Sequence, residues 1–168
     1  MNEIEFQTGA REVLQYWPGN CFACSRTNPL GLKLKFWISD QGCFSKCILS
    51  ENYCGFTGMA HGGIISTLID EVAAWTVIVK MGKLGFTTDM SVRYFKPVPT
   101  SAEIIIQGQI IDHDKNNANV KTSIISSDKI LLAEGVCKFR LPEISTLAKL
   151  GNIDESLLVK FVDAYKLG

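Results

Sequence analysis

MAHGGIISTLIDEVAAW, residues 59–75, decides how this chain folds. From Ile64 to Val79 almost every residue is apolar, yet Asp70 and Glu71 stand side by side inside the run. A carboxylate in a core is costly unless it is paired or hydrogen-bonded. The run is too long for a strand, and a helix that is apolar on nearly every side has to be surrounded by other elements. The flanking sequence must therefore supply something that wraps it. Adjacent helix residues point about 100° apart, so only one of the two carboxylates can face a given site.

On the N-terminal side, residues 9–16 suit a short helix, and WPGNCFACSRTNPLG (17–31) reads as a loop rich in turn residues. Lys33–Ser39 alternates as a strand does, Gln41-Gly42 is a turn signal, and Cys43–Leu49 reads as the partner strand. CGFTGMAHGG (54–63) is a glycine-rich approach to the helix, which extends to about Lys80. Four strands follow, Phe86–Phe95, Ala102–His113, Ala118–Ser127 and Ile130–Leu141, separated by KPVPTS, DHDKNN and SSDK. Consecutive strands joined by tight turns imply an antiparallel meander. In residues 145–167 the spacing of Leu147, Leu150, Ile153, Leu157, Leu158, Phe161 and Val162 predicts one or two amphipathic helices packed on the outside. Two strands, a long apolar helix and four more strands give an α+β chain in which a sheet of about six antiparallel strands curls around a central helix. That is the hotdog architecture.

The 168 residues suit a single domain with a core at about 21–141 and a helical tail at 142–168. No internal repeat, low-complexity run or linker divides them. Lysine plus arginine equal aspartate plus glutamate at 17 each, which argues against a nucleic-acid-binding or polybasic membrane surface. The acidic, polar N-terminus has no apolar leader, and Ile64–Val79 is shorter than the roughly 20 residues a membrane-spanning helix needs. The expected location is the cytoplasm. The six cysteines then read as free thiols. Cys21 and Cys24 form a CxxC, but Cys54, Cys137, His61 and His113 complete no familiar zinc spacing, so no metal or cofactor is expected.

Four stretches carry a resemblance: CFACSRTNPLGLKLKF (21–36), HGGIISTLIDE (61–71), TTDMSVRYFKPVP (87–99) and LLAEGVCKFRL (131–141). The sequence resembles the hotdog-fold acyl-CoA thioesterases, in the branch that includes the phenylacetate-pathway type enzymes. The resemblance covers about residues 21–141. It implies hydrolysis of an acyl-CoA or other acyl thioester by a homo-oligomer, a dimer or a dimer of dimers.

Elementary geometry adds to this. The first N–H groups of a helix lack internal partners and lie at the positive end of its dipole, so an N–H at Gly62 or Gly63 can polarise a thioester carbonyl. A glycine-rich entry fixed only by packing is the plainer alternative. Asp70 lies eight residues beyond Gly62, on the order of 12 Å along the axis. One chain's Gly62 and Asp70 therefore cannot reach the same carbonyl. Two antiparallel copies of the helix could, which predicts two sites shared across a two-fold interface.

Residue by residue, the resemblance implies that Asp70 is the catalytic carboxylate, as general base or as nucleophile. Gly62 is the oxyanion donor, with Gly63 beside it, and His61 sits at the edge of the site. Thr87 supplies a hydroxyl that orients the carboxylate or water. Some hotdog thioesterases use a glutamate on this helix, which keeps Glu71 as a site residue. Arg93 and Lys96 are candidates to hold coenzyme A phosphates. Strand alternation puts Thr87, Asp89, Ser91 and Arg93 on one face and favours Arg93. Phe56, Met59, Ile65, Leu68, Val72, Trp75 and Phe86 are the acyl-pocket candidates. Where several relatives carry Asn or Gln six residues before the histidine, this chain has Gly55. A non-catalytic acyl-CoA binding module and a hotdog dehydratase are the competing readings.

Overall fold

The computed structural model describes residues 10–14 and 17–165. A long helix α1 (Gly62–Met81) is wrapped by a seven-stranded antiparallel sheet. Its strands are β1 (Arg11–Glu12), β2 (Phe36–Ile38), β3 (Gly42–Ile48), β6 (Phe86–Tyr94), β7 (Glu103–His113), β8 (Asn117–Ser126) and β9 (Leu131–Arg140), in the order β1-β2-β3-β7-β8-β9-β6. This is the expected hotdog fold, with one strand more than expected. The extra strand corrects the reading of residues 9–16 as a helix: Arg11 and Glu12 pair with Ile38 and Trp37, and Val13 is buried. An open strand edge at β2 outweighs weak helical periodicity in so short a segment. Residues 9, 15 and 16 of that segment lie outside the described residues.

Leu68, Ile69, Val72 and Ala73 of α1 are fully covered by the sheet. The approach is close enough to need glycine on two strands. A Cβ on Gly108 would overlap the Thr76 hydroxyl, and one on Gly135 would come within 2.6 Å of Ile69 Cγ2. Thr76 resolves its own buried hydroxyl by donating to the Val72 carbonyl at 2.7 Å. At 20 residues, α1 is longer than the Ile64–Val79 run and long and apolar enough to cross a membrane. Here it packs against β3, β7, β8 and β9 instead.

Helix α2 (Ile144–Gly151) packs its Leu147 and Ala148 in a small cluster apart from the main core, whereas α3 (Glu155–Asp163) and the residues after it do not stay outside that core as expected. Phe161, Val162 and Tyr165 join it. Trp75 of α1 stacks on Phe36 at 4.7 Å and meets Phe161 and Tyr165 edge-on at 5.9 and 5.7 Å. The tail therefore covers the stripe of α1 that the sheet leaves open.

The glycine-rich approach is a two-stranded ribbon, β4 (Cys54–Phe56) with β5 (Met59–Ala60), turned through Gly58 at φ 78°. Ala60 N–H donates to Val98 O at 2.8 Å and His61 N–H to Tyr53 O at 2.9 Å. The start of α1 is thus tied to the turn that follows β6.

Candidate active site

The entry to α1 is capped by His61, whose Nδ1 accepts the N–H of Gly63 at 3.0 Å. The cap separates the two glycines. The Gly63 N–H is engaged, while the Gly62 N–H has no hydrogen-bond partner among the described residues. Of the two expected oxyanion donors, Gly62 alone is available. Gly55 packs directly on this histidine: a Cβ there would lie 3.2 Å from His61 Cα. Any larger residue at 55 would push on the cap.

Tyr94 clamps the same turn, and the sequence reading missed it. Its hydroxyl donates to Gly62 O at 3.2 Å and shares a 2.9 Å hydrogen bond with Ser66 Oγ. Phe56, Met59, Gly62, Ile65, Tyr94 and Lys96 line a cleft of about 360 Å³. Three of the acyl-pocket candidates and one of the two phosphate-binding candidates therefore meet beside Gly62.

Two turns further along α1, Asp70 is half-buried, between the buried Ile69 and Val72. Thr87, at the start of β6, donates its hydroxyl to Asp70 Oδ1 at 2.6 Å. The register of β6 explains how it gets there. Thr87 lies opposite Phe139 and Asp89 opposite Lys138, so Thr88 is an extra residue, a bulge. Its hydroxyl donates to the Lys138 carbonyl.

The bulge corrects the expected faces. Thr87 shares the inner face with Met90, Val92 and Tyr94, whose partners Cys137, Gly135 and Ala133 are buried. Asp89, Ser91 and Arg93 point outward, with Asp89 paired to Lys138 at 3.0 Å and Arg93 opposite Glu134. Arg93 is thus on the other side of the sheet from Thr87, and Lys96 is the cation nearer Gly62. A single extra residue inverts every later side chain, and composition does not signal it.

Glu71 faces away from Asp70. Its Oε1 accepts the Trp75 indole N–H at 3.0 Å and its Oε2 lies 3.6 Å from Cys21 Sγ. Burial, reinforced by the charge of Cys21, pushes the Glu71 carboxyl up to about 7. The Cys21 thiol is held down to about 5, chiefly by a hydrogen bond from Cys24, and Cys24 is pushed up by the same bond and by burial. Of the remaining pocket candidates, Leu68 and Val72 are core, and Trp75 and Phe86 line a separate cavity with Glu71.

Comparisons with known proteins show what this chain is similar to. Residues 57–133 match the family model described as Thioesterase superfamily. The mouse acyl-coenzyme A thioesterase 13 is 28% identical over 71 residues, 42% of this chain and 51% of that protein. The mouse acyl-coenzyme A thioesterase THEM4 is 30% identical over 86 residues, 51% of this chain and 36% of that protein. The chain thus spans about half or less of these relatives. A Streptococcus pneumoniae hypothetical thioesterase solved with coenzyme A superposes with a TM-score of 0.59 at 19% identity, over 62% of this chain and 81% of that one. The superposition establishes the hotdog fold.

Proposed function

We propose that this chain is an acyl thioester hydrolase of the cytoplasm, acting on acyl-CoA or an acyl-pantetheine carrier, with each site built by two copies of the chain. The observation that carries the reading is the 2.6 Å hydrogen bond from Thr87 to Asp70, a carboxylate within a largely apolar helix. Thr87 holds Oδ1 and leaves Oδ2 to accept a proton. A water bound there attacks the thioester carbonyl carbon and gives its proton to Asp70. The oxyanion is met by the N–H of Gly62 of the partner subunit. Collapse of the tetrahedral intermediate breaks the C–S bond, and the departing thiolate takes the proton from Asp70.

Three features support the shared site. Gly62 and Asp70 are two turns apart on one helix, too far for one carbonyl. β6 forms one end of the sheet, so its outer edge is unpaired among the described residues. Met90, Tyr94 and Phe95 are exposed along it, as is Phe56 nearby. A nine-residue open edge that exposes apolar side chains among polar ones is a pairing surface that a second copy would cover. The S. pneumoniae protein has also been solved as variants in which an aspartate and a threonine are each replaced by alanine, the residue types that pair here. Lys96, at the rim of the Gly62 cleft, is better placed than Arg93 to meet a coenzyme A phosphate.

The test is free-thiol release from a panel of acyl-CoAs, short aliphatic to phenylacyl, by wild type and Asp70→Asn. Turnover by the wild type that is lost in the variant supports the reading. The panel also tests kinship with the phenylacetate-pathway type enzymes. Tight acyl-CoA binding without turnover favours the binding module, which Gly55 in place of the loop amide supports.

A further inference from the structure

We propose that Cys21, Cys24 and Glu71 form a zinc site whose fourth position opens into the cavity between α1 and the C-terminal helices. One ligand atom from each residue lies within 4.8 Å of the others. Tetrahedral zinc, with bonds of about 2.3 Å to sulfur and about 2.0 Å to oxygen, places sulfur and oxygen roughly 3.5 Å apart. Cys21 Sγ and Glu71 Oε2 are 3.6 Å apart.

The surroundings are built as metal sites are. The segment carrying the CxxC is held from both sides: Ser25 N–H donates to Cys21 O at 3.1 Å, Leu32 N–H to Phe22 O at 2.9 Å, and Leu34 N–H to Ala23 O at 3.0 Å. Ala23 N–H points at Cys21 Sγ at 3.3 Å, a donor suited to a thiolate. The carboxylate oxygen not turned to Cys21 is fixed by the Trp75 indole at 3.0 Å, which leaves Oε2 to the ion. Outer contacts of this kind orient ligands and raise affinity. A cavity of about 250 Å³ adjoins all three donors and is otherwise lined by apolar side chains such as Trp17, Ile78 and Leu84. It has room for a water as fourth ligand. Two thiolates and a carboxylate select a thiophilic divalent ion over magnesium or calcium.

The third donor explains why spacing in the CxxC region reveals nothing: Glu71 is 50 residues from Cys21 and arrives on a different element. The site is distinct from the Asp70–Thr87 pair and does not depend on thioester hydrolysis.

Cobalt(II) is the probe, added to the reduced, metal-free full chain. The expected result is stoichiometric uptake with a thiolate-to-cobalt charge-transfer band and the intense visible bands of tetrahedral cobalt, bleached by zinc. Cys21→Ser and Cys24→Ser abolish the charge-transfer signature or halve it. Asp70→Asn and Cys54→Ser leave it unchanged. Trp75→Phe, which keeps a ring but removes the N–H, weakens zinc affinity by on the order of 10-fold. Because Cys24→Ser replaces a buried side chain and can fail to fold, the wild type is also alkylated with and without zinc, and zinc protects Cys21. A wild type without the thiolate–cobalt band, alkylation of Cys21 indifferent to zinc, or a Cys21–Cys24 disulfide that persists in its presence would overturn the proposal.

Discussion

Thr87 Oγ1 lies 2.6 Å from Asp70 Oδ1, joining the first strand after α1 to the middle of that helix across 17 residues of sequence. The bond occupies one carboxylate oxygen and fixes the plane of the other. Asp70→Asn is expected to reduce kcat for thiol release by about 100-fold or more, the range of a positioned general base. Thr87→Val should lower it by roughly 10- to 100-fold, the loss of one hydrogen bond to a charged group. Steady-state kinetics check both. Unchanged kcat in Asp70→Asn would remove Asp70 from the chemistry.

Gly62 can be tested without disturbing the helix. Proline is tolerated at the first helical position, and His61, at φ −64° and ψ 140°, already has the extended backbone that must precede it. A side chain at 62 meets Tyr94 only at ordinary contact distance. Gly62→Pro removes the N–H alone and is expected to cost about 100- to 1,000-fold in kcat. Mixed with Asp70→Asn, it should regain activity, because a mixed dimer joins one intact Asp70 to one intact Gly62. A random mixture should recover about a quarter of wild-type turnover. No recovery, once subunit exchange is verified by mass spectrometry, would place both groups in one chain's site.

The sheet carries two buried hydroxyls, Ser45 Oγ and Thr122 Oγ1, with no hydrogen-bond partner among the described residues. Thr122 is fully buried on β8. Thr122→Val keeps the shape and removes the unmet group. It is expected to stabilise the fold by about 1 kcal/mol, a rise of roughly 2–4 °C in Tm. Differential scanning calorimetry decides. A lower Tm would mean that the hydroxyl has a partner.

Asp154 caps α3, accepting the Ser156 N–H at 2.8 Å. Hydrogen bonds from Ser156, side chain and backbone, hold its carboxyl below the ordinary carboxylate value. A carboxyl with a depressed folded-state pKa contributes stability above its unfolded pKa and loses it as pH falls through the folded one. Asp154→Ala should lower Tm by a few degrees near neutral pH. The gap to wild type should close as pH drops below the carboxylate range. A gap independent of pH would show that packing, not the charged cap, is responsible.

Much of this was legible in local sequence. The apolar run at 64–79 required a surrounded helix, and turn residues divided the later strands nearly where they divide in the structure. HGG followed by aspartate located the helix entry and the carboxylate. These are short-range properties: helical period, strand alternation and unpaired N–H groups at a helix start need no knowledge of distant residues. The placement of Thr87 came from the family resemblance, since a threonine on a strand carries no signal of its own.

What remained hidden depended on contacts between distant segments. The bulge at Thr88 turned Arg93 outward because strand register is set by the partner, β9, and not by the strand itself. Arg11 and Glu12 became a strand because β2 offered them an edge, and the tail entered the core because Trp75 had a face that no strand reached. Glu71 illustrates the division. Its position on the helix, about 100° around from Asp70, was determined by sequence through helical geometry alone. Its meeting with Cys21 and Cys24 was decided only in three dimensions, because nothing in a CxxC specifies which distant helix will pack against it.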